Sequence, residues 1–231
     1  NSKDHKPLII RGARQVGKTT LVNQFAFEFD NYLYLNLDKE RDLNLFKEDD
    51  VLTLLDKIHI HCKKQKKDGN TLLFIDEIQN SPKAVKLLRY FKEETPELYV
   101  IAAGSLLETL IDTHISFPVG RVEYMALRPC SFVEFLNGIG EVFDAEVVRA
   151  LKADAIHERI MNHFLNYILV GGMPEAIMKY AEKRDILSVN KIYNTFMNAY
   201  SDDVLKYAHN KTMSAVIRHI LKEGWSYAAE P

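Results

Sequence analysis

The sequence has little cysteine and no long apolar run. Only two cysteines, Cys62 and Cys130, occur among its 231 residues, and their spacing provides no framework for disulfides. We therefore expect a reducing compartment, by default the cytoplasm. No continuous apolar stretch reaches the roughly 18 residues of a membrane-spanning helix, so no membrane partner is expected.

An excess of charge of one sign is also missing. The formal net charge is −2 at pH 7, which argues against a surface that coats nucleic acid but does not exclude a local basic patch. Hydrophobic residues make up 47% of the chain and charged residues 27%, proportions typical of a globular protein with a sizeable core. The polar N-terminus has no initial Met and does not resemble a signal peptide. Because a core strand follows almost at once, we expect a fragment or a trimmed piece of a longer chain.

The most informative segment spans residues 8–20. Apolar Leu8–Ile10 predicts a buried strand, and an amphipathic pattern predicts a helix from Lys18 to about Phe29. The loop between them fits the phosphate-binding pattern G-x-x-x-x-G-K-[ST], and the flanking strand and helix supply the context that this pattern requires. The residues expected to bind ATP or ADP are Gly12, Ala13, Arg14, Gln15, Val16, Gly17, Lys18, Thr19 and Thr20.

The residue types in this loop suit the chemistry of phosphate binding. Gly12 and Gly17 let the backbone bend, so that loop amides and the positive end of the helix surround an anion. Lys18 is expected to reach the β- and γ-phosphates, and the Thr19 hydroxyl is expected to bind Mg²⁺. ATP and Mg²⁺ are therefore the expected cofactors.

A second apolar run, Thr71–Ile75, ends in two acids and predicts a central parallel strand. The carboxyl end of such a strand is where α/β sheets place their ligand chemistry. Asp76 is the expected second Mg²⁺ ligand, and Glu77 is placed to orient and activate the attacking water as a general base. The alternative is that both acids merely end a strand, although a phosphate-binding loop predicts an acidic strand end of this kind.

Two further residues are catalytic candidates. Ser105 follows the strand predicted over Leu98–Ala103, where it could sense the γ-phosphate or simply cap the helix predicted over Leu106–Ile111. Arg121 could act as an arginine finger on a γ-phosphate, in its own chain or in a neighbouring one. The alternative for Arg121 is a solvated arginine at the edge of the sheet.

The strand pattern ends with a strand predicted over Val122–Leu127. Ser131 and Glu134 then form an S-x-x-E capping box that opens a short helix, and the later segments show only helical periodicity. We place the domain boundary after residue 142. Residues 1–142 form the predicted nucleotide-binding domain, and residues 143–231 form a predicted helical region that leads into a truncated domain.

Together these segments resemble the AAA+ superfamily ATPases of bacteria and archaea, in particular the archaeal-ATPase and STAND groups. The segments that carry the resemblance are Gly12–Thr20, Leu73–Gln79, Ala103–Ser105, Gly120–Arg121, Leu127–Phe135 and Gly171–Glu175. The resemblance implies an α/β P-loop NTPase fold with a parallel sheet of strand order 5-1-4-3-2 between helices. It also implies a smaller all-helical or winged-helix-like region after the sheet, and a functional role for Arg121.

We interpret the chain as an ATPase that uses hydrolysis for mechanical or regulatory work. Two alternatives stay open: a nucleotide-gated interaction module with little turnover, and a small-molecule kinase on the same scaffold. The acidic pair favours water as the acceptor, because a kinase does not need Glu77. Besides nucleotide, the expected partners are another protein or a second copy of the chain. Nucleic acid, bound through the winged-helix-like end, is the weakest expectation.

Overall fold

A parallel sheet is the centre of the N-terminal part of the protein. The computed structural model describes residues 5–66, 69–105, 120–152, 154–208 and 210–227, and the chain divides into two compact units, Asn1–Arg128 and Pro129–Pro231. The strands of the first unit are β1 (Leu8–Arg11), β2 (Asn31–Asn36), β3 (Thr71–Asp76), β4 (Leu98–Gly104) and β5 (Glu123–Ala126). They pair in parallel in the order β2-β3-β4-β1-β5, which confirms the expected order 5-1-4-3-2.

Helices connect the strands of the first unit. They are α1 (Lys18–Phe25), α2 (Glu40–Leu43), α3 (Val51–His61) and α4 (Pro82–Glu94), with single 3₁₀ turns at Ala26–Glu28, Asn44–Lys47 and Ile78–Asn80. The last turn of the predicted loop helix is therefore a 3₁₀ turn, and the chain is already extended at Phe29. Helix α4 begins where Ser81 accepts a hydrogen bond from the Ala84 amide, and Pro82 occupies its first turn, where a missing N–H costs nothing.

Side chains of β3, an interior strand of the sheet, alternate between two apolar cores. Leu73 and Ile75 pack into the larger core with residues of α3 and α4, whereas Phe74 on the other face packs with Val22 of α1. Because β3 is buried on both faces, its sequence is a continuous apolar run rather than an alternating one. The sheet is therefore packed on both faces where it supports the loops that follow the ends of its strands.

The register of the sheet brings three strand ends to one edge. Arg11 at the end of β1 lies opposite Gly104 at the end of β4, and Ile75 of β3 lies opposite Ala102 of β4. Since all three strands run in parallel, the chain segments that follow them meet at the same carboxyl edge of the sheet.

The second unit is helical in its described residues, as expected. Its helices are α5 (Phe132–Gly138), α6 (Val142–Arg149), α7 (His157–Val170), α8 (Pro174–Lys183), α9 (Asn190–Tyr207) and α10 (Lys211–Tyr227). The predicted capping box is present, with Ser131 and Glu134 each hydrogen-bonded to the backbone of the other. No strand occurs among the described residues of this unit, so they contain no β-wing of a winged-helix fold.

The division between the two units lies earlier in the sequence than the boundary we placed after residue 142. Phe135 and Leu136 of α5 are fully buried in the same apolar core as Val170, Ala176 and Ile177. This packing joins α5 to the helices that follow it rather than to the sheet, so the structural division falls after Arg128. Separately, none of the helices formed by the described residues combines the length and apolar character that a bilayer crossing requires.

Candidate functional site

The loop after β1 has a conformation that only particular residues tolerate. Gln15 and Gly17 both have positive φ, 64° and 99°, and glycine adopts such values at the lowest cost. At Gly12 the constraint is space, because a Cβ atom there would lie 2.3 Å from the Leu127 carbonyl oxygen and 3.1 Å from Cγ1 of Val16. The motif therefore requires glycine at position 17 because of the backbone conformation and at position 12 because of the lack of space.

Lys18, the first residue of α1, is folded back over the loop. Its side chain is buried, and Nζ donates hydrogen bonds to the carbonyl oxygens of Gly12 at 2.9 Å and Ala13 at 2.8 Å. Burial lowers the pKa of the Lys18 ammonium, while the nearby charges of Glu77 and Asp76 partly oppose that shift. The ammonium thus lies between the loop carbonyls and the acids that end β3.

The strand-end acid Asp76 is joined directly to the loop helix. The Thr19 hydroxyl donates to Oδ2 of Asp76 at 2.7 Å, and the Glu77 amide donates to the other carboxylate oxygen at 3.1 Å. Asp76 is only 3% exposed. A hydroxyl and a carboxylate are the oxygen ligands that Mg²⁺ prefers, so the chemistry of this pair fits the ion that the sequence predicts.

A residue that the sequence did not single out, Tyr34, also contacts this acid. Its hydroxyl donates to Oδ2 of Asp76 at 3.4 Å, and its ring stacks on Phe74 with centroids 5.5 Å apart. Burial raises the pKa of the Tyr34 phenol, and the Asp76 charge raises it further. The sequence contains only a weak signal for this contact, because Tyr34 lies on the polar side of an alternating strand, two residues before the end of that strand.

Glu77 begins the turn that leaves β3, in a left-handed backbone conformation with φ 53°. Its carboxylate oxygen Oε2 accepts a hydrogen bond from Nε2 of Gln79 at 2.5 Å, a contact that the sequence did not predict. A pocket of about 280 Å³ lies between this turn and the loop. The residues that line it are Arg14, Gln15, Gly17, Lys18, Thr19, Thr20 and Glu77.

Two loop residues, Ala13 and Val16, do not line the pocket. Val16 is 3% exposed, so its side chain packs in the protein rather than lining the pocket, and the Ala13 carbonyl is already a partner of Lys18. Ser105 directly follows β4 and is half-buried, and the pairing of Arg11 with Gly104 puts it at the same edge as the loop. The helix predicted over Leu106–Ile111 lies outside the described residues.

Arg121 lies at the opposite edge of the sheet from the loop. It precedes β5, whose first residue Glu123 pairs with Leu8 at the start of β1, whereas the loop follows the end of β1. Its guanidinium forms an ion pair with Glu93 at the end of α4 at 3.1 Å, and the same Glu93 oxygen pairs with Arg89 at 3.1 Å. The structure therefore does not bring Arg121 to the phosphate-binding loop of its own chain.

Comparison with known proteins gives a family match that covers nearly all of the first unit and continues into the second. A family model described as "AAA domain" matches residues 4–136, more than half of the chain. No curated protein matches the chain.

Two solved structures are similar to the chain at low sequence identity. The structure of Drosophila ORC bound to DNA is 16% identical, with a TM-score of 0.44 over 98% of this chain and 64% of that one. The structure of C. elegans PCH-2 is 13% identical, with a TM-score of 0.44 over 80% of this chain and 60% of that one. The chain thus spans less than two thirds of either.

The close approach at Gly12 leads to a stability prediction. Gly12→Ala places a methyl group against the backbone oxygen of Leu127, which cannot move away as a side-chain tip can. We expect a loss of about 1–3 kcal/mol in the free energy of unfolding, the usual cost of overpacking. The control is Gly138→Ala, whose Cβ meets only the Ile177 Cγ2 methyl at 2.9 Å. Chemical denaturation measures the free energy of unfolding of both variants. Equal losses in the two would contradict the conclusion that the Leu127 carbonyl requires glycine at position 12.

Proposed function

The chain belongs to the AAA domain family, and from this premise we propose that it binds ATP with Mg²⁺ and hydrolyses it to ADP and phosphate. The observation that carries the proposal is the 2.7 Å hydrogen bond from Thr19 to Asp76. It joins the two predicted metal ligands, which lie far apart in the sequence, and Thr19 lines the same pocket as Lys18 and Glu77.

The proposed binding step uses the loop and Lys18. Loop amides and the start of α1 surround the phosphates, and the Lys18 ammonium exchanges its two carbonyl partners, Gly12 and Ala13, for phosphate oxygens. Since Lys18 is already partly desolvated, less of its hydration remains to be lost when ATP binds. The same charges would stabilise the negative charge that develops on the phosphate oxygens as water attacks the γ-phosphorus and ADP leaves.

The proposed metal ligands are Thr19 and Asp76. Mg²⁺ held there would neutralise charge on the phosphate oxygens. Both side chains lie where the helix start and the strand end meet, so they are held by the secondary structure on either side. Tyr34 and the Glu77 amide also donate to the Asp76 carboxylate, which fixes its orientation.

Glu77 is the proposed general base. Its side chain lines the pocket, and one of its oxygens is held by Gln79, so the other can accept a proton from the attacking water. A carboxylate in this place favours water over a small-molecule acceptor. We propose that turnover serves regulatory or mechanical work on another protein or on a second copy of the chain.

The first prediction concerns ATP binding. Lys18→Met keeps the length and apolar stem of the side chain but removes the charge that faces the phosphates. Charged hydrogen bonds contribute about 1.5–3 kcal/mol, so we expect ATP affinity to fall about 10- to 100-fold in calorimetric titration. Lys86→Met, an exposed residue of α4, is the matched control and should bind ATP like the parent. Equal affinity in all three proteins would exclude the proposed phosphate site.

The second prediction separates the metal ligand from the base. Glu77→Gln should bind Mg-ATP normally but hydrolyse it about 10²- to 10⁴-fold more slowly, since its task arises only in the transition state. Asp76→Asn should instead weaken the dependence of ATP binding on Mg²⁺. Phosphate release and titration with and without Mg²⁺ measure both effects, with exposed Glu94→Gln as the control. If Glu77→Gln hydrolyses ATP at the parent rate, Glu77 is not the base.

The third prediction concerns Arg121, which we propose acts on the nucleotide of a neighbouring copy. An arginine finger contributes about 10³-fold or more to turnover, so Arg121→Ala should slow hydrolysis far more than it weakens ATP binding. Arg89→Ala is the control, because it loses the same Glu93 partner without removing Arg121.

Mixing inactive variants tests this arrangement directly. When Arg121→Ala and Glu77→Gln proteins assemble together, some pockets receive an intact Glu77 from one chain and an intact Arg121 from the other. We expect phosphate release to exceed the sum of the separate proteins. Mixtures that demonstrably assemble but stay inactive would refute action between chains.

A further inference from the structure

The turn after β3 holds one contact that nucleotide binding does not require. Gln79 Nε2 donates to Oε2 of Glu77 at 2.5 Å. The other amide atom of Gln79, Oε1, is buried and has no hydrogen-bond partner among the described residues.

The direction of the amide is fixed by the chemistry of its partner. An ionised carboxylate only accepts hydrogen bonds, so the Gln79 NH₂ group must face Glu77. Turning the amide over would place Oε1 against a carboxylate oxygen and would be repulsive. The unpaired Oε1 atom is thus a consequence of the bond to Glu77.

The residues on either side of Gln79 are anchored. Ile78 is fully buried in the larger core of the sheet, and Asn80 donates from Nδ2 to Oδ1 of Asp38 at 2.7 Å. Glu77 itself has positive φ, a strained state for a residue with a side chain, which persists only where the surrounding structure enforces it. The turn therefore presents both the Glu77 and the Gln79 side chains from a fixed backbone.

We propose that Gln79 is a positioning residue that holds the Glu77 carboxylate by one oxygen and leaves the other free to accept a proton from the attacking water. This inference rests on the proposed function, in which Glu77 is the general base. Gln79 itself does not line the pocket, so its influence on turnover passes through Glu77. Orientation of this kind matters because misplacement by about 1 Å costs up to about 10²-fold in rate.

The test is a double-mutant cycle on the whole chain, with Mg-ATP as the substrate. Gln79→Leu keeps the approximate volume but removes the donor, and we expect kcat to fall about 10- to 100-fold while KM for ATP changes little. Gln79→Glu places a second carboxylate beside Glu77 and should lose at least as much. Gln24→Leu, the same chemical change at an exposed position of α1, should retain the parent kcat.

The Glu77→Gln background distinguishes positioning from a general structural role. If Gln79 acts through Glu77, adding Gln79→Leu to Glu77→Gln has no further effect on kcat. A further fall in the double variant would overturn the proposal, because a merely structural residue lowers turnover whatever residue 77 is. A parent-like kcat in Gln79→Leu would overturn the proposal as well. A raised kcat would also overturn it, because it would show that the hydrogen bond from Gln79 restrains Glu77 from acting as the base.

A second readout does not depend on turnover. The same cycle on melting temperature without nucleotide should be non-additive, since both changes act on one hydrogen bond: Glu77→Gln replaces its charged acceptor by a neutral one, and Gln79→Leu removes its donor. Additive changes in melting temperature would show that residues 77 and 79 do not interact, and would overturn the positioning role. Two other results would overturn the proposed function, and the positioning role with it: no phosphate release by the parent, or hydrolysis by Glu77→Gln at the parent rate. The melting cycle would then report only whether residues 77 and 79 are in contact.

Discussion

The parallel pairing of β4 with both β1 and β3 is the constraint on which the rest of the site depends. It fixes the end of β1, where the phosphate-binding loop starts, beside the end of β3, where Asp76 and Glu77 stand. A one-residue slip in either pairing would exchange the two faces of a strand and bury the wrong side chains against α1. The hydrogen bond from Thr19 to Asp76 is therefore a result of sheet register, and it exists only while the buried cores on both faces hold that register.

The charges at the site form a balanced group at the boundary of the core. Lys18 and Asp76 are both nearly inaccessible to water, which would be costly for either charge alone. The Lys18 ammonium donates to two loop carbonyls, and the Asp76 carboxylate accepts from a hydroxyl and an amide. Each charge thus has hydrogen-bond partners of its own. In the proposed function, phosphate oxygens take the place of the loop carbonyls around Lys18, while the Glu77 amide keeps its hydrogen bond to Asp76.

The sequence predicts those parts of the structure whose signals are local. The loop, its flanking strand and helix and the acidic strand end could be read from residues 8–20 and 71–77 because glycine, lysine and acids occur there at fixed spacing. Tyr34 reaches Asp76 from another strand, and its contact depends on register, which no local pattern specifies. Gln79 is close in sequence to Glu77, but only the turn geometry shows that its amide reaches back. The contacts divide the chain after Arg128 rather than after residue 142, because the apolar residues Phe135 and Leu136 indicate burial without indicating which core buries them.

The position of Arg121 follows from strand direction, and it could have been deduced from the order of segments. The loop follows β1 while Arg121 precedes β5, and in a parallel pair the entrance of one strand lies beside the entrance of the other. The positions that pair between β1 and β5 alone separate the two edges by about 10 Å, at about 3.3 Å per residue. An arginine paired with Glu93 at the entrance edge is thus directed away from the phosphate-binding loop of its own chain. In the arrangement we propose, the γ-phosphate that Arg121 contacts therefore belongs to another copy, and turnover depends on assembly of the chains.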